Sequence, residues 1–376
     1  MTEIVKVFTG ADIHDGTRLH RGSVLVQMQD GSRRILNPLE VPQGTPATGL
    51  ERGVLCPGFI DLQVNGGGGV MFNDTPDVAT LRRIARAHRG TGVAGFLPTL
   101  ITDTPDRTQA AIEATVDAIA IGVPGIIGLH LEGPHLSLAR KGAHDGALIR
   151  PMQEADLALI LRAAKRLPNL MVTVAPENTT NTQISAMAEA GVIVSLGHSD
   201  EDYESCMAAF DAGARCVTHL FNAMSQMTSR APGLVGAALA RGGVHAGLIA
   251  DGIHVHPASM RNALAAKAEG VFLVSDAMAT AGSDITSFML NGREVYRKEG
   301  RLTLADGTLA GADLEMGRAV HTLTHAVGIP LEAALAQAIS GPLALLRDAR
   351  GLGQVETAGQ PLVHYDPESG AVRVLA

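Results

Sequence analysis

Three residues of the types that bind divalent metal ions each follow a short apolar run in this chain. They are Glu132 in "GLHLEGPH", His198 in "VSLGHS" and His219 in "VTHLF". One carboxylate and two imidazoles can hold Zn²⁺ and leave a coordination position open for water. Taken singly, a histidine after a strand is more often structural, and Glu132 could cap a helix or pair with a cation. Their shared position at the ends of apolar runs predicts a metal site.

A fourth polar residue, Asp276 in "LVSDAM", ends another apolar run. A carboxylate beside a metal site can accept a proton from an attacking water and then deliver it to a leaving amine. The alternative is an ordinary N-cap of the segment that follows. We favour the catalytic interpretation because Asp276 completes the set of Glu132, His198 and His219.

Two amides, Gln63 and Asn65, lie in "PGFIDLQVNGGGG", where residues two apart on a strand face the same side. Many metal hydrolases place two histidines there. Amides are weak ligands for Zn²⁺, so we expect Gln63 and Asn65 to form hydrogen bonds near the site. The alternative is that they only satisfy the backbone around the four glycines. The glycine run matches neither phosphate-binding loop motif.

These residues must be positioned by the elements that precede them. Short apolar runs alternate with helical stretches such as "DVATLRRIARAHRG", a pattern typical of buried parallel strands in an α/β fold. The apolar runs number eight and read "GFIDLQV", "AGFLPTL", "GIIGLHLE", "LMVTVAPE", "VIVSLGHS", "CVTHLF", "HAGLIADG" and "VFLVSDA". Eight such units predict a TIM (β/α)8 barrel, whose active site lies at the C-terminal ends of the strands.

The two ends of the chain follow a different pattern. Residues 1–54 alternate apolar and polar residues between Asp-Gly turns, and residues 351–376 have the same character. Neither end buries much surface alone, so we predict that they join into one small β-sandwich domain, with residues 55–350 as the catalytic barrel. Residues 288–311 interrupt the barrel pattern with hairpin-like alternation.

Composition excludes several classes of function. The net charge is −8, and no block of Lys and Arg occurs, so we expect no nucleic-acid partner. There is no signal-like start and no apolar stretch of membrane-spanning length, so we expect no membrane contact. The cysteines, Cys56, Cys206 and Cys216, are odd in number and form no C-x-x-C motif, which favours a cytoplasmic location. Cys56 is expected to be a buried small residue.

The motifs, taken in order, resemble the N-acetylglucosamine-6-phosphate deacetylases of the amidohydrolase superfamily. The matching segments are "PGFIDLQVNGGGG", "HLEGPHLSLARKGAHD", "SLGHS", "THLFNAMSQMTSRAPG", "IADGIHVHP", "LVSDAM" and "GTLAGA", and they cover essentially the whole chain. Members with Gln-x-Asn on the first strand resemble single-metal enzymes that use Glu, His and His. The resemblance therefore implies one divalent ion per subunit, with Zn²⁺ preferred and Fe²⁺ or Co²⁺ as alternatives.

The resemblance also implies roles for residues that spacing alone does not single out. His144 in "KGAHD" matches the histidine that contacts and polarises the acetyl carbonyl. Asn222 and Ala223 in "FNAM", Arg230 in "SRAPG" and His254 in "DGIHV" match contacts to the sugar and its phosphate. In the family one such contact can come from a neighbouring subunit, which implies a homodimer. Without the resemblance, Arg230 would be interpreted as a solvated loop residue.

The expected reaction is metal-dependent hydrolysis of N-acetyl-D-glucosamine 6-phosphate to D-glucosamine 6-phosphate and acetate, in amino-sugar catabolism or cell-wall recycling. One alternative is a deacetylase for the galactosamine epimer or another N-acyl sugar phosphate, because these motifs do not settle the configuration at C4. A cyclic-amidase or dihydroorotase-like member of the superfamily is disfavoured. Such enzymes commonly bridge two metals with a carboxylated Lys, and no Lys ends a strand here. A non-catalytic sugar-phosphate-binding barrel is a further alternative, although it would not need Asp276.

Overall fold

A computed structural model describes residues 3–349 and 351–375. The N-terminal region consists of short strands that lead into the barrel. They are β1 (Ile4–Thr9), β2 (Asp12–His14), β3 (Leu19–His20), β4 (Val24–Met28), β5 (Arg33–Leu36), β6 (Ala47–Gly49) and β7 (Val54–Pro57), with a 3₁₀ turn at Pro38–Glu40. Strands β5, β4, β1 and β6 form one sheet in that order.

The barrel strands follow, all parallel to their neighbours. They are β8 (Phe59–Val64), β11 (Val93–Ile101), β12 (Leu129–Glu132), β13 (Leu170–Val174), β14 (Ile193–Leu196), β15 (Cys216–Val217), β16 (His245–Leu248) and β17 (Val271–Leu273); a hairpin of β9 (Gly66–Gly67) and β10 (Val70–Met71) follows β8. Within the described residues these eight strands make one sheet in sequential order, and each corresponds to one predicted apolar run. The barrel prediction is confirmed.

The sheet closes on itself beside the first strand. Val64, the last residue of β8, forms a parallel bridge with Ala277, just beyond β17. The backbone N–H groups of Asn65 and Gly66 donate to the Ala277 carbonyl at 2.9 and 3.2 Å. These contacts bring the end of β8 next to the segment that carries Asp276.

Helices connect the strands and cover the outside of the barrel. They are α1 (Val78–Gly90), α2 (Pro105–Ala120), α3 (Glu154–Ala164), α4 (Asn181–Glu189), α5 (Tyr203–Asp211), α6 (Gly233–Ala240), α7 (Pro257–Ala266), α8 (Met316–Thr322), α9 (Leu331–Ala338) and α10 (Ser340–Leu343), with a 3₁₀ turn at Leu138–Arg140 and a π-helical turn at Leu323–Val327. Side-chain caps define several starts, since Asp77, Thr104 and Asp202 each accept a backbone N–H three residues on. None of these helices has the length and apolar composition that crossing a bilayer requires, as far as the chain is described.

The interruption predicted near residues 288–311 is an antiparallel sheet inserted after the eighth barrel strand. It consists of β18 (Ser287–Leu290), β19 (Arg293–Lys298), β20 (Arg301–Thr303) and β21 (Leu309–Ala312). Its buried side chains pack with Ile101 and Met278, which lie at the C-terminal ends of barrel segments. The insert therefore forms a wall beside the mouth of the barrel.

The last two strands, β22 (Leu362–Tyr365) and β23 (Val372–Leu375), pair back onto the N-terminal region. β22 runs antiparallel to β7, and β7 runs parallel to β2, so both chain ends share one sheet. A common core of Phe8, Leu25, Ile13, Leu55 and Leu362 lies between this sheet and the first one. The sandwich from both termini is confirmed, whereas the domain boundaries at residues 54 and 351 stay predictions.

Candidate functional site

The predicted metal-binding residues lie together at the C-terminal mouth of the barrel. Glu132 is the last residue of β12, and His198 and His219 each follow the end of a strand by two residues. His198, His219 and Asp276 have positive φ angles of 49°, 32° and 51°. Left-handed backbone is costly for residues with a Cβ and is concentrated at functional sites, where it redirects a side chain.

Three donor atoms of this group converge on one point. Glu132 Oε1 lies 3.1 Å from His198 Nε2 and 3.1 Å from His219 Nε2, and the two nitrogens are 3.0 Å apart. All three side chains are buried. Among the residues that the structure describes, they are the one group of three or more His, Cys, Asp or Glu residues with metal-ligand spacing.

The donor set fits a divalent metal ion. His198 Nδ1 lies 2.8 Å from the Arg140 carbonyl, so it donates there and leaves the Nε2 lone pair facing Glu132 and His219. The Nε2 lone pair of a neutral His198 then faces Glu132 Oε1, which is also an acceptor, at 3.1 Å, and a cation between the two atoms would stabilise this arrangement. Two imidazole nitrogens and one carboxylate oxygen with a free side toward a cavity are the ligands of catalytic zinc sites.

The contacts between Glu132 and the two histidines favour the charged form of Glu132. Burial would raise the pKa of Glu132, but the contacts with His198 and His219 outweigh burial and hold that pKa well below its usual range. Burial would likewise lower the pKa of His219, whereas the contact with Glu132 raises it. Glu132 is therefore anionic at neutral pH.

Gln63 and Asn65 lie at the end of β8, between the two buried carboxylates. Gln63 Nε2 donates to Glu132 Oε2 at 3.2 Å and to Asp276 Oδ1 at 3.1 Å. Asn65 Nδ2 donates to the same Asp276 oxygen at 2.7 Å. The two amides thus connect the carboxylates through N–H groups, where histidines would offer ligands to a second metal.

Asp276 lines the cavity with its free carboxylate oxygen. The hydrogen bonds from the Gln63 and Asn65 amides both end on Oδ1, and no described residue donates to Oδ2. Burial and the negative charge of Glu132 raise the pKa of Asp276 to about 6. A carboxylate with a pKa near neutrality is suited to accept a proton and return it.

His144 lies against the metal-ligand group, with its ring centroid 4.4 Å from that of His198 in an edge-to-face arrangement. Its Nδ1 is 2.8 Å from the hydroxyl of Thr102 and 3.4 Å from the backbone nitrogen of the same residue. Burial and the neighbouring His198 lower the pKa of His144 to about 3, so it is neutral.

The residues predicted to bind substrate are only partly brought together. A cavity of about 390 Å³ is lined by Asn222, Ala223 and His254 as well as by Glu132 and Asp276. Arg230 is exposed in the loop before α6 and does not line this cavity. The structure thus gathers most of the predicted site residues around one cavity. Gln63 does not line it but contacts Glu132 and Asp276, and Arg230 lies outside it.

Two residues near the site carried no role in the sequence analysis. Asp251 accepts from the backbone of Ile253 and His254 at 2.8 Å and lies 2.6 Å from His254 Nδ1, so it fixes that ring. Its position after an apolar run was the signal that could have identified it. Thr102 follows β11 with no distinguishing motif. Glu177, which follows β13, accepts from the Ser199 hydroxyl at 2.8 Å and from the backbone N–H of Asp200 at 2.6 Å.

Most of the chain matches one known protein family. Residues 54–338 match the family described as the amidohydrolase family. The chain belongs to the amidohydrolase family. The resemblance inferred from the motifs is thereby confirmed, and the matched residues include every one of the predicted site residues.

Two relatives of this amidohydrolase are sugar-phosphate deacetylases. The chain is 46% identical over 294 residues, 78% of its length and 74% of the relative, to an N-acetylgalactosamine-6-phosphate deacetylase of Shewanella sp. (strain ANA-3). It is 35% identical over 325 residues, 86% of its length and 84% of the relative, to an N-acetylglucosamine-6-phosphate deacetylase of Haemophilus influenzae.

A solved structure extends the similarity to nearly the whole amidohydrolase chain. The crystal structure of N-acetylglucosamine-6-phosphate deacetylase from Pasteurella multocida superposes with a TM-score of 0.90 at 34% identity, covering 98% of this chain and 96% of the other. The terminal β strands and the insert are therefore part of the shared architecture.

Proposed function

We propose that the chain hydrolyses the acetamide of N-acetyl-D-glucosamine 6-phosphate to D-glucosamine 6-phosphate and acetate. One observation carries the proposal: the convergent atoms of Glu132, His198 and His219 share a cavity with the amide-held carboxylate of Asp276. The similarity to sugar-phosphate deacetylases over most of the chain supports the substrate class. Amino-sugar catabolism or cell-wall recycling would supply such a substrate.

Glu132, His198 and His219 would hold one divalent ion per subunit, Zn²⁺ in preference to Fe²⁺ or Co²⁺. When bound, this ion supplies Lewis-acid polarisation of the acetyl oxygen and lowers the pKa of the attacking water. The amides of Gln63 and Asn65 support a single ion, because their N–H groups occupy the side of Asp276 and Glu132 that a second ion would need.

Asp276 is proposed as the base and then the acid. Its Oδ2 accepts the proton of the attacking water and delivers it to the amine as the C–N bond breaks. Gln63 and Asn65 hold Oδ1, so the carboxylate stays aimed at the cavity through both transfers. Such positioned proton transfer contributes a factor of roughly 10²–10⁴ to the rate.

His144 is proposed to donate a hydrogen bond to the acetyl oxygen as that oxygen gains negative charge. Because burial keeps this imidazole neutral, it acts as a donor of fixed orientation rather than as a cation. A donor aimed at the developing oxyanion stabilises the transition state more than the ground state.

Asn222, Ala223 and His254 would bind the sugar and its phosphate within the cavity. Arg230 is exposed outside it, and its guanidinium suits a phosphate. We therefore propose a homodimer in which Arg230 reaches the substrate of the neighbouring subunit. A cytoplasmic location is also proposed, which the three free, buried cysteines support.

A second candidate substrate is N-acetyl-D-galactosamine 6-phosphate. The specific observation in its favour is the 46% identity to a deacetylase of that epimer, against 35% for the glucosamine enzyme of Haemophilus influenzae. The two substrates differ only at C4, so the same metal site, base and phosphate contacts would serve both.

The test is acetate release by purified, metal-quantified protein from N-acetylglucosamine 6-phosphate, its galactosamine epimer and unphosphorylated N-acetylglucosamine. We expect rapid release from the glucosamine phosphate and little from the unphosphorylated sugar. Faster release from the epimer would favour the second candidate. Tight binding of the sugar phosphates with no acetate release would contradict the enzymatic function.

A further inference from the structure

We propose that Thr102 is a positioning residue for His144 and holds its imidazole in the tautomer that carries the proton on Nε2. The catalytic consequence rests on the proposed deacetylase function. The tautomer itself follows from contacts between the two residues.

Two groups of Thr102 meet a single nitrogen of His144. The hydroxyl Oγ1 lies 2.8 Å from Nδ1, and the backbone N–H of the same residue donates to Nδ1 at 3.4 Å. Both residues are buried, with 1% and 4% of their surface exposed. A backbone N–H can only donate, so a proton on Nδ1 would face another proton. Nδ1 is therefore the acceptor, and the ring proton lies on Nε2.

The Thr102 hydroxyl also lies close to the backbone at Glu132 and Gly133. Its second acceptor, the Glu132 carbonyl, is at 3.4 Å, so the shorter contact with His144 Nδ1 takes the hydroxyl proton. The adjacent Gly133 has φ +86°, and a Cβ at that position would lie 2.3 Å from Thr102 Oγ1. The glycine thus makes room for the hydroxyl to reach His144.

The remaining polar atom of the imidazole, Nε2, has no partner among residues 3–349 and 351–375, and His144 lines the catalytic cavity. With the proton fixed there, His144 can donate to an acyl oxygen but cannot accept a proton from water. Thr102 thereby limits His144 to the role of hydrogen-bond donor, and Asp276 acts as the base.

A double-mutant cycle tests whether Thr102 acts through His144. Thr102→Val removes the hydroxyl at constant shape, and Thr102→Ser retains it as the matched control. We expect Thr102→Val to lower kcat about tenfold with KM and metal content near wild type, and Thr102→Ser to stay within about threefold. In a His144→Ala background, Thr102→Val should change kcat by less than about twofold. The same loss in both backgrounds, or no loss in wild type, would overturn the proposal.

The tautomer can be measured without turnover. In protein labelled with ¹⁵N-histidine, protonated and lone-pair ring nitrogens resonate in separate regions, and the His144→Ala spectrum identifies the His144 signals. We expect an unprotonated Nδ1 and a protonated Nε2 in the wild type. A protonated Nδ1 would overturn the inference, whereas absence of wild-type turnover beside the expected spectrum would count only against the proposed function.

Discussion

The side-chain nitrogen of Asn65 donates to Oδ1 of Asp276 at 2.7 Å, across the seam where the first and last barrel segments meet. Gln63, two residues earlier on the same face of β8, donates to the same oxygen. An imidazole in either place would present a lone pair to a metal, whereas an amide N–H presents a proton to a carboxylate. The polarity of these two donors is the basis of our proposal that the site holds one ion.

Replacing the proposed base should remove chemistry without removing binding. In Asp276→Asn the shape is retained, but no carboxylate accepts the proton, so we expect kcat to fall by roughly 10³-fold or more with metal content unchanged. Measured turnover and metal analysis check this, with Asp211→Asn, on the exposed face of α5, as the control. Near-normal turnover in Asp276→Asn would eliminate the assignment.

Changing the amides to histidines should create room for a second ion. In Gln63→His/Asn65→His, two imidazoles would join Asp276 and Glu132, and we expect the bound metal to rise from about one toward about two per chain. Metal analysis after dialysis measures the ratio. The control Gln63→Ala/Asn65→Ala removes the amides without adding ligands and should stay near one. Equal ratios in the two double variants would refute this explanation.

Substitutions of Glu132, at the end of β12, and of Glu177, just after β13, should differ in their effect on metal binding. Glu132→Gln removes the anionic ligand, so we expect the metal affinity to fall by about 100-fold or more. The carboxylate of Glu177 accepts from Ser199 and Asp200, so Glu177→Gln should leave the metal affinity unchanged. Competition with a metallochromic chelator measures both. Equal affinities in the two variants would show that Glu132 is not a ligand.

Asp61 should make stability depend on pH. Burial raises the pKa of Asp61 to about 7, against about 3.9 in an unfolded chain. Between these values the folded state keeps a proton that the unfolded state has lost, so the free energy of unfolding falls as pH rises from about 4 to about 7. In Asp61→Asn the side chain is neutral throughout, and its Oδ1 can still accept from Gln63 and Ser275.

We therefore expect the thermal midpoint of Asp61→Asn, relative to wild type, to be roughly 3 °C or more higher at about pH 8 than at about pH 5. Calorimetry of both proteins at the two pH values measures the difference. A relative midpoint that stays constant or falls with pH would mean that the folded protein does not hold Asp61 protonated.

Much of the site could be predicted because the barrel imposes a simple rule. The C-terminal ends of parallel strands meet at one mouth, so Glu132, His198, His219 and Asp276 had to lie close together once the strands were identified. The strand period of two placed Gln63 and Asn65 on one face. No distance had to be known for either inference.

Other features depend on contacts that sequence patterns do not encode. Thr102 meets His144 across 42 residues of chain, and only the folded distances show which nitrogen it contacts. The insert contributes Leu290 and Thr308 to the cavity, although its alternating pattern indicated only a hairpin. Taken without the motif match, Arg230 indicated a solvated loop residue, which agrees with its exposed position. The match indicated a phosphate contact instead, because it carries no information on where the loop turns.

We propose above that a single metal ion, held by Glu132, His198 and His219, supports deacetylation. It is tested most directly by titrating Zn²⁺ into metal-free protein while acetate release from N-acetylglucosamine 6-phosphate is followed. We expect no release without metal and a rate that rises linearly to a plateau at about one equivalent per chain. A plateau at two equivalents, or full activity in the metal-free protein, would contradict it.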